Sequence, residues 1–156
     1  EKDFLLSMQH PFLVSLEFCF HSPTRIWFGM KFMQGGELFQ LLKTKKRFCE
    51  KDCRFYGAQI LLALEYLHSK DIIYRDLKPD NIVFDEKGHA MITDFGLAKA
   101  DVANNSSAKS FCGSPAYLAP EMLKRTGHGK SVDWYLLGVL FYEMLVGIPP
   151  YYSNNK

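Results

Sequence analysis

The sequence is poor in the features that mark several classes of protein. Its four cysteines form no C-x-x-C pair, and Cys49 and Cys53 lack the partners of a metal site. No apolar run reaches the ~18 residues of a membrane-spanning helix. The formal net charge is only +2, without a long run of like charges that would favour nucleic acid. We expect an intracellular, cytoplasmic or nuclear protein with free thiols, no transmembrane segment and no nucleic-acid partner.

Short strands precede helices along the chain. Two segments that alternate and are rich in aromatic and branched residues flank the turn "HSPT" at 21–24, which predicts a β-hairpin. The segment 133–147 is apolar on nearly every side, which predicts a helix buried all round. The other predicted elements are the hairpin strands 12–20 and 25–33, helices at 1–9, 35–46 and 51–70, short strands at 81–84 and 90–93, and a long loop at 97–120.

Polar side chains cluster between two apolar runs in "IIYRDLKPDNIVF", residues 72–84. Asp76, Lys78 and Asn81 come at one end of the second predicted hairpin, whose far end delivers Asp94 in "TDFG". Carboxylate and amide oxygens are ligands that Mg²⁺ accepts, commonly together with substrate phosphates. A carboxylate near a lysine also suits proton acceptance from a hydroxyl while the lysine meets phosphoryl charge. The cluster therefore predicts phosphoryl transfer.

These segments resemble the motifs of protein kinases. "YRDLKPDN" is similar to the catalytic-loop pattern R-D-L-x-x-x-N, "DFG" to the metal-binding triplet and "APE" at 119–121 to the end of the activation segment. Tyr74 and "SFCGSPAYLAPE" at 110–121 resemble the AGC group, which includes cyclic-AMP-dependent kinase, protein kinase B and ribosomal S6 kinase. The alternative is a calmodulin-dependent-type kinase, which Tyr74 with Phe111 and Cys112 disfavours.

The resemblance implies an α+β, protein-kinase-like bilobal fold, of which this chain covers only a part. Residues 1–29 would be the end of the N-lobe, 30–36 the hinge and 37–156 the first part of the C-lobe, with the activation segment at 94–121. The sequence has no G-x-G-x-x-G loop and no V-A-I-K-type lysine. We expect both upstream of Glu1 in a longer, active parent, so that this piece alone is inactive.

The resemblance also implies roles for individual residues. Asp76 would be the catalytic base and Lys78 a contact to the transferred phosphate, while Asn81 and Asp94 would hold Mg²⁺. The implied ATP-binding residues are Glu1 as partner of the missing lysine, Met30 as gatekeeper, Lys31 and Met33 in the adenine-binding hinge, Glu37 at the ribose and Val83 beneath the base. The implied substrate-binding residues are Glu37, Asp80, Ser114 and Glu143.

Two further expectations concern substrates and regulation. Glu37, Asp80 and Glu143 match positions where AGC kinases bind arginines. This match favours protein substrates with basic residues near the acceptor Ser or Thr. Ala116 stands where cyclic-AMP-dependent kinase has a glutamate, so the resemblance does not imply the arginine-binding contact of that glutamate. Ser110 precedes "FCG", where AGC kinases receive an activating phosphate from an upstream kinase. Arg75 and Lys99 resemble the cations that bind this phosphate.

Two other functions compete with an ATP-dependent Ser/Thr protein kinase. The first is a pseudokinase that acts as a scaffold, against which the intact Asp76, Lys78, Asn81 and Asp94 argue. The second is a small-molecule phosphotransferase with the same loop motifs. It is disfavoured because "CGSPAYLAPE" resembles the segment that docks peptide substrates in protein kinases.

Overall fold

The computed structural model describes residues 8–100 and 114–153. It contains two two-stranded antiparallel sheets and four α-helices within these ranges. The elements are β1 Leu16–His21, β2 Ile26–Met30, α1 Leu38–Lys45, α2 Glu50–Ser69, β3 Ile82–Phe84, β4 Ala90–Ile92, α3 Pro120–Lys124 and α4 Ser131–Val146. Short 3-10 turns occupy Pro79–Asn81 and Pro115–Tyr117. The predicted α+β fold class is confirmed.

The predicted first hairpin is formed by β1 and β2. Its register pairs Phe20 with Trp27 and Phe18 with Gly29, and the register shifts between Leu16 and Phe18. The rings of Phe18 and Phe20, and of Phe20 and Trp27, are stacked at centroid separations of 6.3 and 5.9 Å. A Cβ atom at Gly29 would lie 2.2 Å from the Phe18 ring, so the absence of a side chain there lets this ring cover the strand.

The core is built around α2, which packs against α4 and β4. Ile60, Leu64 and Leu67 of α2 and Leu136 and Leu140 of α4 are all almost completely buried. Their spacing of three or four residues places them on one face of each helix, as expected for two packed helices. This pair of helices is the base on which the short strands and the polar loop rest.

The predicted helix at 35–46 begins later than expected, at Leu38. The two glycines before it pair with β3 instead, because Gly35 donates its N–H to Phe84 O and Gly36 O accepts from Phe84 N–H, both at 2.9 Å. Gly36 has a positive φ of 74°, which glycine adopts without a steric penalty. This stretch therefore ties the segment after β2 to the second hairpin.

The prediction that α4 is buried all round is wrong. Trp134, Tyr142 and Val146 are 40%, 44% and 50% exposed, while Leu136 and Leu140 are buried. The helix carries apolar residues on several sides: Leu136 and Leu140 are covered in the core with α2 and Val132 is covered by Leu118, Ala119 and Met122, whereas the side with Trp134 and Tyr142 is not covered within the described residues. Pro150 and Tyr151 join Trp134 and Tyr142 in lining a shallow groove on the other side.

The remaining predicted elements are close to the observed ones. The second hairpin and the helix at 51–70 agree within about one residue, as is usual for element ends. The predicted loop at 97–120 contains the 3-10 turn Pro115–Tyr117 and the first residue of α3. Most of the helix predicted at 1–9 lies outside the described residues. None of the described helices is long and apolar enough to cross a membrane.

Candidate active site

The β3–β4 hairpin brings together the two residues predicted to hold Mg²⁺. Asn81 immediately precedes β3, and Asp94 follows β4 by two residues. The main chains meet directly, because Thr93 donates its N–H to Asn81 O at 3.0 Å. Asp94 has a positive φ of 55° and accepts a 3.1 Å hydrogen bond from Gly96 N–H through Oδ1. The Asp94 side chain is exposed, whereas Asn81 is buried.

Asp76 is held between a cation and an amide. Lys78 Nζ lies 2.9 Å from Asp76 Oδ2, and Asn81 Nδ2 donates to the same oxygen and to Asp76 O, at 2.8 Å in each case. Asp76 is only 7% exposed, so these partners offset the cost of burying its charge. Lys78 Nζ also lies 3.4 Å from Ser114 Oγ. The structure thus assembles four of the predicted site residues, Asp76, Lys78, Asn81 and Ser114.

The chemistry of Asn81 and Asp94 fits a magnesium ion. With Nδ2 of Asn81 committed to Asp76, its Oδ1 is the side-chain atom that can bind a cation. The exposed Asp94 carboxylate supplies further hard oxygen. No cluster of three or more His, Cys, Asp or Glu suited to a metal exists among the described residues. A site of one amide and one carboxylate therefore needs further oxygens from phosphate and water, as Mg²⁺ commonly has.

The main chain of the polar loop is fixed by one buried carboxylate, Asp133 in the first turn of α4. Asp133 Oδ2 accepts from Tyr74 N–H at 2.9 Å and lies 2.8 Å from His68 Nε2, while Oδ1 accepts from Arg75 N–H at 2.8 Å. The Asp133 side chain is fully buried. The carboxylate thereby joins α2, the loop before Asp76 and α4. Arg75 has a φ of 71°, a conformation that non-glycine residues keep only when their surroundings hold it.

Arg75 and Lys99, the predicted cations of the regulatory site, lie on two adjoining segments. Ile73 and Lys99 exchange both main-chain hydrogen bonds at 2.9 Å. Arg75 Nε donates to Leu97 O at 2.7 Å. Tyr74 between them donates its hydroxyl to Thr93 O, and its ring packs edge-on against Phe95. Burial, reinforced by the nearby negative charge of Asp76, raises the pKa of the Tyr74 hydroxyl well above its usual value.

Two of the residues predicted to bind ATP, Met30 and Glu37, line two different cavities, and Lys31, Met33 and Val83 line neither of them. Met30 at the end of β2 and Asp94 line a largely apolar cleft of about 230 Å³, together with Leu16 and Phe95. Glu37 lines a more open cavity of about 430 Å³ beside α1, and its main chain pairs with Val83 of β3. Lys31 is exposed and Met33 partly buried in the connecting segment.

The predicted substrate-binding acids have different surroundings. Asp80 is exposed, whereas Glu143 on α4 is 7% exposed and accepts a hydrogen bond from the Tyr117 hydroxyl through Oε2. Burial raises the pKa of the Glu143 carboxyl, and the negative charge of Asp80 adds to this, while the Tyr117 hydrogen bond opposes it. The structure therefore places Asp80 and Glu143 within electrostatic range of each other, while Glu37 lines the separate cavity beside α1.

Two of the predicted site residues, Glu1 and Ser110, lie outside the described ranges.

Several contacts of the site were not predicted from the sequence. These contacts join His68, in the last turn of α2, to Asp133, and Tyr117 to Glu143. A third joins Gln59 to β4, since Gln59 Oε1 accepts from Ala90 N–H at 2.6 Å. A polar residue on the buried face of a predicted helix, as at Gln59 and His68, is the sequence signal that could have indicated these partners.

Comparison with known proteins agrees with this geometry. The family model described as "Protein kinase domain" matches residues 1–156. Serine/threonine-protein kinase Sgk1 from Homo sapiens is 49% identical over 156 residues, which is 99% of this chain and 36% of that protein. Sgk1 from Xenopus tropicalis is 49% identical, with 37% of it covered, and Sgk1 from Rattus norvegicus is 48% identical, with 36% covered.

The chain thus spans little more than a third of the length of these relatives. Sgk1 is a serine/threonine kinase of the AGC group, so the resemblance to that group is confirmed. The motifs at residues 74–81, 94–96 and 119–121 occur in a fold in which the β3–β4 hairpin joins the end of the first motif, at Asn81, to Thr93 just before the second. On the family match and the identity to Sgk1, the chain belongs to the protein kinase domain family, as a partial domain.

Proposed function

We propose that the protein to which this chain belongs is an ATP-dependent serine/threonine protein kinase of the AGC type. The observation that carries the proposal is the pairing of Asp76 with Lys78 and Asn81, each within 3 Å of the carboxylate. A scaffold that had lost phosphoryl transfer would have no need to keep a buried carboxylate in this costly arrangement. The likeness to Sgk1 supports the same reaction class.

The proposed mechanism assigns each residue a step that its contacts support. Asp76 accepts a hydrogen bond from the substrate hydroxyl, orients it and takes its proton as the hydroxyl oxygen bonds to the γ-phosphorus and the bond from that phosphorus to the departing ADP breaks. Lys78, which touches both Asp76 and Ser114, places a positive charge next to the phosphoryl group in transit. Asn81 and Asp94 would hold Mg²⁺, which supplies charge neutralisation of the ATP phosphates. Met30, Lys31, Met33, Glu37 and Val83 would bind the nucleotide.

The proposed substrates are proteins with basic residues near the acceptor Ser or Thr. The supporting observation is that Asp80 and Glu143 interact electrostatically beside the 3-10 turn Pro115–Tyr117, where Glu143 is bonded to Tyr117 and also lines a cavity with Lys43 and Lys46. Glu37 would add a third acidic contact from its own cavity. A cationic peptide side chain would gain most at Glu143, because the site there is shielded from water.

Regulation and location complete the proposal. An upstream kinase phosphorylates Ser110, and Arg75 and Lys99 bind the phosphate. The protein acts inside the cell, in the cytoplasm or nucleus. The free state of Cys19, Cys49 and Cys53 agrees with a reducing compartment.

The decisive experiment uses the full-length protein that contains this chain. Transfer of labelled phosphate from Mg-ATP to an arginine-rich serine peptide is measured for the wild type and for Asp76→Asn, with Asp52→Asn on the exposed side of α2 as the control. The proposal expects transfer by the wild type and the control only. Absence of transfer by a Ser110-phosphorylated wild type, with this and other peptides, would favour the pseudokinase scaffold.

A further inference from the structure

Gln59 is a buried polar side chain on the side of α2 that meets the second hairpin. It is 6% exposed, and α2 packs against β4. Its Oε1 atom accepts the main-chain N–H of Ala90, the first residue of β4, at 2.6 Å. Burying an amide costs free energy unless it is hydrogen-bonded, and an apolar side chain would fill the position without that cost. The bond to β4 is therefore what this amide adds to the core.

The β3–β4 hairpin needs partners outside itself, because each of its strands has only three residues. An isolated two-stranded hairpin is at best marginally stable in water. On the outer side of β4, Ile92 N–H donates to Phe12 O and Ile92 O accepts from Val14 N–H, both at 2.9 Å. Gln59 supplies the partner for the other outward N–H group, that of Ala90. A side chain of α2 thus takes the place of a neighbouring strand at this position.

The end of the hairpin that Gln59 holds is a well-bonded turn. Asp85 N–H donates to His89 O at 3.1 Å, and Asp85 Oδ1 accepts from the N–H groups of Lys87 and His89. His89 Nδ1 lies 3.0 Å from Asp85 Oδ2. Because Ala90 comes directly after this turn, its bond to Gln59 attaches the whole turn to α2.

Asp94 lies at the other end of the hairpin and depends on β4 for its position. Asn81 is held by its own two hydrogen bonds to Asp76. Asp94 is exposed, and its bond from Gly96 N–H ties it to its own segment. The path from Asn81 to Asp94 runs through the main-chain bond between Asn81 and Thr93 and through β4, which ends two residues before Asp94. A displacement of β4 would therefore displace Asp94 relative to Asn81.

Apolar packing and a hydrogen bond restrain β4 in different ways. Ile82, Phe84 and Ile92 are buried in the same core as the apolar residues of α2. Such contacts are non-directional, so they hold a strand against a helix without defining where along the helix it lies. A hydrogen bond requires a donor–acceptor distance of about 3 Å and good alignment. The bond from Ala90 to Gln59 therefore defines the position of β4 along α2.

We infer that Gln59 is a positioning residue, which places Asp94 relative to Asn81 by fixing β4 on α2. It acts through the strand, since Ala90 and Asp94 are four residues apart, about 13 Å in an extended chain. The inference rests on the proposed function in one respect, that Asn81 and Asp94 hold Mg²⁺. Without the bond to Ala90, Asp94 would sample a wider range of positions and contribute less to binding the metal.

The first test compares variants of the full-length protein by hydrogen exchange, without nucleotide. Gln59→Met keeps the approximate volume but loses the oxygen acceptor, whereas Gln59→Glu keeps an oxygen that accepts an N–H whether or not the carboxyl is ionised. Gln59→Asn, whose amide is one carbon shorter, gives the same comparison if Gln59→Met does not fold. Glu65→Met on the exposed side of α2 is the control.

The amides to follow are those of Ala90, which bonds Gln59, and of Thr93, which bonds Asn81 at the end of the hairpin near Asp94. We expect Gln59→Met to speed exchange about tenfold at both amides, with Gln59→Glu and the control close to the wild type. Faster exchange at Ala90 alone would confine the effect to the lost bond and overturn the inference.

The second test measures a property that a purely structural role would leave unmoved. The affinity for adenylyl imidodiphosphate, a non-hydrolysable ATP analogue, is determined by calorimetry with and without Mg²⁺. Gln59→Met should reduce the gain in affinity from Mg²⁺ by about tenfold and leave the metal-free affinity unchanged. Gln59→Glu should restore the gain. An equal gain from Mg²⁺ in the wild type and in Gln59→Met would overturn the inference.

The outcomes separate this inference from the proposed function. A wild type that gains no affinity from Mg²⁺ and transfers no phosphate would count against the proposed kinase, and exchange at Thr93 would then decide whether Gln59 positions the segment of Asp94. A wild type that binds and transfers, with Mg²⁺ gain and Thr93 exchange unchanged in Gln59→Met, would overturn the inference and leave the proposed function intact.

Discussion

Asn81 donates its side-chain amide to both the main-chain oxygen and the carboxylate of Asp76, at 2.8 Å in each case. The amide nitrogen therefore fixes the orientation of the proposed base, and it leaves the amide oxygen as the atom of this side chain that can bind a cation. One side chain thus links two parts of the mechanism. The arrangement holds a carboxylate that is only 7% exposed in one orientation.

Replacing Asn81 should impair both functions of this side chain. In the full-length protein, Asn81→Ala is expected to lower kcat by about 100-fold or more. It should also raise the Mg²⁺ concentration required for half-maximal activity, since the amide oxygen is lost. Steady-state assays over a range of Mg²⁺ concentrations measure both effects. Glu65→Ala on the exposed side of α2 is the control, and an unchanged Mg²⁺ requirement would contradict the metal-binding role.

The buried hub at Asp133 predicts a large effect on stability. Asp133→Asn replaces one acceptor oxygen by an N–H donor that faces other donors, so at least one buried partner is left unpaired. We expect a loss of about 3 kcal/mol in the free energy of unfolding, measured by urea denaturation. The matched control is Asp71→Asn, which breaks an exposed 2.7 Å ion pair with Lys130. This change should cost less than about 1 kcal/mol. Similar losses of stability for the two variants would contradict the stabilising role of the buried Asp133 carboxylate.

Glu143 predicts a pH-dependent stability difference. Because its pKa is raised on folding, the folded state binds more protons than the unfolded state, and Glu143 ionisation destabilises the fold as pH rises. Glu143→Gln removes this effect. Its stability relative to the wild type should therefore increase between about pH 4 and pH 7. Thermal unfolding at several pH values measures the trend, with exposed Glu86→Gln as control. A difference independent of pH would refute the argument.

Two glycines, one in the middle of α4 and one directly after it, predict opposite effects of the same substitution. Gly147 ends the helix with a φ of 98°, and a Cβ atom there would lie 2.3 Å from Lys46 O. Gly147→Ala should therefore destabilise the protein by about 1–3 kcal/mol. Gly138 lies within the helix and has open space around its Cα, so Gly138→Ala should stabilise by about 0.5–1 kcal/mol. Melting temperatures that move in the same direction would contradict this reasoning.

The sequence was sufficient for the elements whose pattern is local. The alternation around "HSPT" predicted the β1–β2 hairpin, and the second predicted hairpin has Asn81 and Asp94 at its ends, where Asn81 bonds Asp76. The late start of α1 was missed because Gly35 and Gly36 pair with β3, a contact between distant segments. The exposed face of α4 was missed because an apolar sequence does not tell which face finds a partner.

The carboxylate of Asp133 has a consequence for the motions of the loop that contains Asp76. The main-chain N–H groups of Tyr74 and Arg75 donate to the carboxylate of Asp133, in the first turn of α4. These amide hydrogens can become accessible to water only when their hydrogen bonds to Asp133 break, and Asp133 is fully buried. Hydrogen exchange at these two amides should therefore be as slow as in the helices beneath, although they belong to an irregular segment. A loop whose main chain does not open locally presents the Asp76 carboxylate to each substrate in the same position.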